Sequence, residues 1–207
     1  MLPQPPLLVV SDRGQASRPL PEIAAAAFAG GCRWFSLREK DLPADDQVTL
    51  LRAIRAQAQP SGAVVTVHGS AAVAAAAGVG LHLDATGDAL AARKQLGPDA
   101  LIGQSVHNPA EARAVLAGAL DYVIAGPAFL TASKPGYGPA LGPDGLAAIV
   151  AATSLPVIAI GGLDAATIPV CRRAGIAGAA VMGGVMRAED PANEVLELIA
   201  AWNGALP

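Results

Sequence analysis

The residues able to do chemistry fall into a few short groups. His68 and His107 each close a short apolar run, and His82 lies inside one, GLHL. An imidazole can both take and give a proton near pH 7. The three histidines show neither HxH nor HxxxH spacing, so no zinc site is expected. Arg38-Glu39-Lys40 follow directly on another apolar run. Arg38 and Lys40 suit a phosphate or carboxylate, with Glu39 holding them in place. Gly161-Gly162 and Gly183-Gly184 close two further runs. Glycine lets an anion's oxygen approach the backbone N–H groups, and a following helix start adds a positive dipole end. Thr131, Ser133 and Lys134 sit in a long segment of small residues, 126–142, that reads as an anion-binding lid. Cys32 precedes a run and Cys171 falls inside a helical segment, so neither fits a nucleophile. No GxSxG and no GxxxxGK[ST] occurs.

These groups need elements to position them. Eight continuous apolar runs recur: LLVV (7–10), RWFSL (33–37), AVVTV (63–67), GLHL (80–83), ALIGQS (100–105), DYVIA (121–125), PVIAI (156–160) and GAAVM (178–182). Continuous rather than alternating runs suit strands covered on both faces, as in parallel sheets. Segments of helical period lie between them, at 21–29, 45–58, 70–77, 88–96, 109–116, 146–152, 165–173 and 191–201. Ser70, Asn108, Asp164 and Asp190 are the expected N-caps. Eight strand–helix units share 207 residues, with no linker or composition shift between them. That pattern predicts one α/β domain over residues 1–207, a (β/α)8 TIM barrel. An open doubly wound sheet is the runner-up, disfavoured because no early strand carries a Gly-rich dinucleotide turn. A barrel places its site at the carboxyl ends of the strands. Ser11, Arg38, His68, Asp84, Ser105, His107 and the two Gly-Gly pairs all fall there.

Composition narrows the function classes. Hydrophobic residues make up 53%, charged residues 15%, and the net charge is −3. Such a chain is too apolar for disorder and lacks the basic footprint of a nucleic-acid binder. Two cysteines are too few for a disulfide framework and suit a reducing compartment. The uncharged stretch 145–163 is broken by Thr153, Ser154 and Pro156, so it reads as helix, turn and strand rather than a membrane span. The start, MLPQPPLLVV, has no basic residue before a short apolar run, unlike a signal peptide. A cytoplasmic protein with no membrane or nucleic-acid partner is expected.

Six motifs occur in order across nearly the whole chain: SLREK (36–40), GLHL (80–83), IGQSVHN (102–108), DYVIAGPAFLTASK (121–134), PVIAIGG (156–162) and GAAVMGGV (178–185). Together they resemble the thiamine phosphate synthase/TenI superfamily. The resemblance implies a (β/α)8 barrel, a phosphorylated thiazole as small-molecule partner and a tendency to form homo-oligomers. It implies one of two activities. Thiamine phosphate synthase joins a pyrimidine pyrophosphate to a thiazole phosphate with magnesium. TenI-type thiazole tautomerase aromatises a thiazole phosphate carboxylate by proton transfer, without a metal, with the SVH histidine, here His107, implicated. Synthases carry Asn-Asp after strand 3 and a further Asp after strand 4. Here His68-Gly69 follow Val67, and Asp84 and Asp88 are the only carboxylates near the second position. A pyrophosphate needs its metal clamp. The expectation is therefore a tautomerase with no cofactor. His107 is its proton carrier and His68 a second candidate. Arg38, Lys40, Ser105, Thr131, Ser133 and Lys134 contact substrate, and the two glycine pairs hold its phosphate. The synthase, with magnesium, is the alternative, followed by a non-catalytic protein that binds the phosphate ligand.

Overall fold

The computed structural model describes residues 1–131 and 138–204. Eight strands of four or five residues, β1 (Leu7–Val10), β2 (Trp34–Leu37), β3 (Val64–His68), β4 (Gly80–Leu83), β5 (Ile102–Val106), β6 (Tyr122–Ala125), β7 (Val157–Ile160) and β8 (Gly178–Val181), pair in chain order. The sheet closes on itself, with β1 also pairing in parallel with β8 through Leu7↔Ala179, Leu8↔Ala180 and Val9↔Val181. Helices α1 (Leu20–Ala29), α2 (Ala44–Ala58), α3 (Ala71–Ala77), α4 (Ala89–Leu96), α5 (Pro109–Ala114), α6 (Gly142–Val150) and α7 (Ile168–Arg173) link successive strands. Two more, α8 (Gly183–Arg187) and α9 (Pro191–Asn203), follow β8. This is the (β/α)8 TIM barrel expected from the pattern of runs.

Strand residues alternate between two destinations. Leu8, Val10, Trp34, Tyr122, Ile124, Ile158 and Ala180 point into the barrel and form its small interior cluster. Leu7, Val9, Phe35, Leu37, Val67 and Leu81 face outward into the larger layer under the helices. Both faces are covered, which is why the runs are apolar throughout. Trp34 and Tyr122 meet edge to face inside the barrel, with ring centroids 4.7 Å apart. They fit because the strand beside Tyr122 presents Gly103: a Cβ there would lie 2.2 Å from Tyr122 Cζ. A similar economy brings α1 and α9 together, where a Cβ on Gly30 would lie 2.3 Å from the Ala192 carbonyl oxygen.

Ser70, Asn108 and Asp190 cap α3, α5 and α9 through side-chain oxygens, as expected. Asp88 caps α4 in the same way. Asp164 does not cap a helix. It accepts from the Ala166 and Thr167 amides (3.0 and 2.8 Å) and closes a turn, so α7 begins at Ile168 rather than near Ala165. The short α8 was not legible, because its five residues include two glycines, poor helix formers. The stretch 145–163 is the end of α6, a turn and β7. Among the described residues no helix is long and apolar enough to cross a membrane.

Replacing Gly103 with Ala should destabilise the fold by about 1–3 kcal/mol in urea unfolding, the usual cost of overpacking a core. Gly118→Ala, where a Cβ meets nothing within 4 Å, is the control and should change little.

Candidate active site

The carboxyl ends of the strands surround a cavity of about 460 Å³. Of the residues expected at a site, Arg38, His68, Ser105, His107, Thr131, Gly161, Gly162, Gly183 and Gly184 line it. Lys40 does not: it is exposed and outside the lining, although its charge is felt by His82. Ser133 and Lys134 lie outside the described residues.

His107 stands just past β5, where the chain turns into α5. Its Nδ1 lies 2.9 Å from Glu111 Oε2, and its backbone N–H donates to the same oxygen at 2.8 Å. Asn108 completes the arrangement: its Oδ1 accepts from the Glu111 amide at 2.9 Å, and its Nδ2 donates to Glu111 Oε1 at 2.6 Å. This is a variant of the capping box: the Asn108 side chain caps the Glu111 amide, while the Glu111 carboxylate reaches back to the backbone N–H of His107 rather than to that of the N-cap residue. Here its carboxylate also orients an imidazole, as a carboxylate orients a general base. Partial burial pushes the Glu111 carboxyl up, but the hydrogen bonds from His107 and Asn108 outweigh it and hold the group below the usual carboxylate range. Sequence reasoning marked Asn108 as a cap without following the N-x-x-E spacing to Glu111, the signal that could have found it.

The β1 and β2 ends are joined by a buried carboxylate. Glu39 Oε1 accepts from the Ser11 hydroxyl at 2.6 Å and from the Arg13 amide at 3.1 Å, and Arg13 Nη1 reaches Oε2 at 3.1 Å. The Arg38 amide donates to Ser11 Oγ at 2.8 Å. Glu39 was expected to hold the side chains of Arg38 and Lys40. It instead grips the β1 turn, and positions Arg38 only through its backbone. The reason is directional. Glu39 follows Arg38 by one residue, so the two side chains leave the chain on opposite sides, and Glu39 is buried while Arg38 lines the cavity.

At the wall formed by the β7 and β8 ends, Gly161 and Gly162 adopt φ of 103° and 63°, a region that suits glycine. A Cβ on Gly162 would sit 2.8 Å from Phe129 Cβ and 2.9 Å from the Leu130 carbonyl oxygen. Gly183 and Gly184 open α8. The same wall carries Asp164, Arg187 and Glu194, none of which sequence reasoning placed at the site. Burial, then the charges of Glu197 and Asp164, pushes the Glu194 carboxyl up.

On the cavity floor His82 is buried, as expected, but it is not simply a satisfied core residue. Nε2 lies 2.9 Å from Ser105 Oγ, while Nδ1 has no hydrogen-bond partner among the described residues. Burial first, and the Lys40 charge second, push its pKa down to about 3, so the ring is neutral at physiological pH.

The residues do not fit a magnesium ion. The β3 end offers His68 and Gly69 and no carboxylate. The Asp84 carboxylate accepts from the Thr86 amide and hydroxyl (3.1 and 3.0 Å), and Asp88 caps α4. Both acids are exposed and outside the cavity lining, and no cluster of three acidic, His or Cys ligands exists among the described residues.

Residues 7–185 match the family model described as thiamine monophosphate synthase. The chain belongs to the thiamine phosphate synthase/TenI superfamily. It is 37% identical to a thiamine-phosphate synthase of Chlorobium limicola over 204 residues, covering 96% of this chain and 95% of that one. It is 35% identical to a thiamine-phosphate synthase of Roseiflexus over 207 residues, covering 96% and 85%. A thiamine phosphate pyrophosphorylase structure from Pyrococcus furiosus superposes with a TM-score of 0.85 at 28% identity, covering 97% and 96%. Thiamine biosynthesis is thus the setting of this superfamily member. The relatives carry the synthase name and none of these a tautomerase name, so they back the synthase over the tautomerase expected from the sequence.

The depressed Glu111 carboxyl gives a pH signature. A carboxyl whose folded pKa is lowered adds stability that is complete above its ordinary value near 4.5 and is lost as pH falls through the folded value. Glu111→Gln should therefore melt below the native protein at pH 6–7, and the gap should close on acidification towards pH 3. A gap independent of pH would mean that the charge is not what stabilises this corner.

Proposed function

We propose that this superfamily member is a thiazole tautomerase, which aromatises a thiazole phosphate carboxylate by general acid–base catalysis. One observation carries the reading: the cavity presents an imidazole oriented by a carboxylate, His107 on Glu111, while the β3 end that would clamp a metal–pyrophosphate holds His68 and Gly69. Overall identity follows the barrel and its glycine turns, which either reaction can use. The carboxylates are where the two reactions part.

The substrate's phosphate lies on the glycine wall, Gly161-Gly162 and Gly183-Gly184. Arg38 takes its carboxylate, with Lys40 adding only long-range charge, while Ser105 and Thr131 border the ring. With Nδ1–H donated to Glu111, His107 presents Nε2 as the base. It takes the ring proton, and Glu111 stabilises the imidazolium. The same nitrogen then protonates the exocyclic carbon, so proton and charge are restored at the end of the cycle. Aromatisation drives the reaction, and moderate acid–base assistance suffices.

The synthase is the second reading, favoured by the names of the relatives. One set of assays separates the two. Conversion of the exocyclic-alkene thiazole phosphate carboxylate, followed by ultraviolet absorbance, should proceed unchanged in EDTA. His107→Gln should lower its rate by about 10²–10⁴-fold, the usual contribution of a general acid–base group. Magnesium-dependent formation of thiamine phosphate from the pyrimidine pyrophosphate and thiazole phosphate, without tautomer conversion, would establish the synthase instead. Binding of thiazole phosphate with neither turnover would leave the ligand-binding reading.

A further inference from the structure

Three rings form a ladder that climbs from the barrel interior to the cavity. Strand register sets them on one row: His68 pairs with His82, His82 with Gly103, and Gly103 with Tyr122. Residues paired across adjacent strands share a face, so all four point inward. Gly103 contributes no side chain, and the Tyr122 ring fills the space its Cβ would take. Tyr122 thereby reaches His82, with ring centroids 5.6 Å apart and planes 25° from parallel. His82 in turn meets His68 at 4.4 Å and 39°. Relative exposure rises along the series, from 0% at Tyr122 to 2% at His82 and 8% at His68. The ladder is closed at the tyrosine end and terminates at His68, which lines the cavity.

The geometry points to His68 as a stacking platform: a ring-binding subsite at the β3 end that takes a flat heterocyclic ring carrying a phosphate on a short arm. The inference rests on the reading of the glycine wall as the phosphate site, and it deepens that reading. Three observations converge. The ring beneath His68 is neutral at physiological pH and pinned at its edge by Ser105, so His68 rests on a fixed, uncharged ring. In the closed barrel β3 lies opposite β7, so a ring on His68 and a phosphate at Gly161-Gly162 occupy facing walls. Strand β5 lies midway between them, and it delivers His107 to the middle of a molecule held at both ends. His68 thus positions the substrate through its face and is not required as a proton carrier.

Calorimetric titration of the full chain with thiazole phosphate and with ethyl phosphate, a ring-free control, tests the subsite. Native protein should bind thiazole phosphate at least about tenfold more tightly, the scale of one ring-stacking contact. His68→Ala should remove that advantage and leave ethyl phosphate binding as it was. His68→Phe, which keeps a flat ring and has no titratable nitrogen, should restore it. Equal native affinity for the two ligands overturns the subsite but leaves the phosphate wall standing. A Phe variant as weak as the Ala variant overturns stacking in favour of a polar role for the imidazole. Binding of neither ligand by native protein fails the phosphate reading itself, and the subsite with it.

Discussion

Closure of the barrel is the constraint on which everything else rests. Strand β8 must return to β1, and it does so through a three-pair register, Leu7↔Ala179 to Val9↔Val181. A closed parallel sheet has no edge to protect, and every strand runs in the same direction. All eight carboxyl ends therefore emerge at one rim. Residues as distant in sequence as Arg38, His107 and Gly184 line one cavity only because the ring closes. The small residues of the chain serve this closure. With aromatics at 3%, the interior is filled by Trp34, Tyr122 and a few aliphatics, and glycines stand where two elements would otherwise collide.

The interior of this barrel is not wholly apolar. Thr66 Oγ1 donates to Ser36 Oγ at 2.8 Å and accepts from Trp34 Nε1 at 3.3 Å. His82 and Ser105 form the next polar pair towards the rim. Buried polar groups are tolerated when they satisfy one another, and costly otherwise. The gradient from apolar floor to paired hydroxyls to imidazoles prepares a cavity that is partly desolvated and still offers directional groups. The depressed His82 pKa is the electrostatic record of that desolvation.

Membership of the superfamily and the details of its rim carry different information. The family match spans most of the chain because a barrel of this kind constrains every strand. The chemistry depends on a few side chains at strand ends, which can change without disturbing the strands beneath them. A histidine and a glycine at the β3 end leave the fold intact, while the groups that this end offers to a ligand include no carboxylate. Glu39 shows the opposite case. It stands among the rim residues, but it is buried and ties the β1 turn to β2, so it belongs to the scaffold that holds Arg38 in place.

Much of this was legible without coordinates. Continuous runs such as LLVV and GLHL coincide with β1 and β4 to the residue, because both faces of a parallel strand are covered and no polar alternation interrupts it. The order of eight units, the glycine pairs at strand ends and the Ser70, Asn108 and Asp190 caps follow from equally local rules. Tertiary structure decided what local rules cannot reach. That Glu39 turns to Ser11 and Arg13, that Lys40 stays exposed outside the cavity lining, and that Tyr122 crosses Gly103 to reach His82 all depend on which strand lies beside which and in what register. Residue type and spacing determined the strands and the rim. The directions of side chains around a closed ring determined which rim residues meet, because only closure brings separate strand ends within hydrogen-bonding and stacking distance.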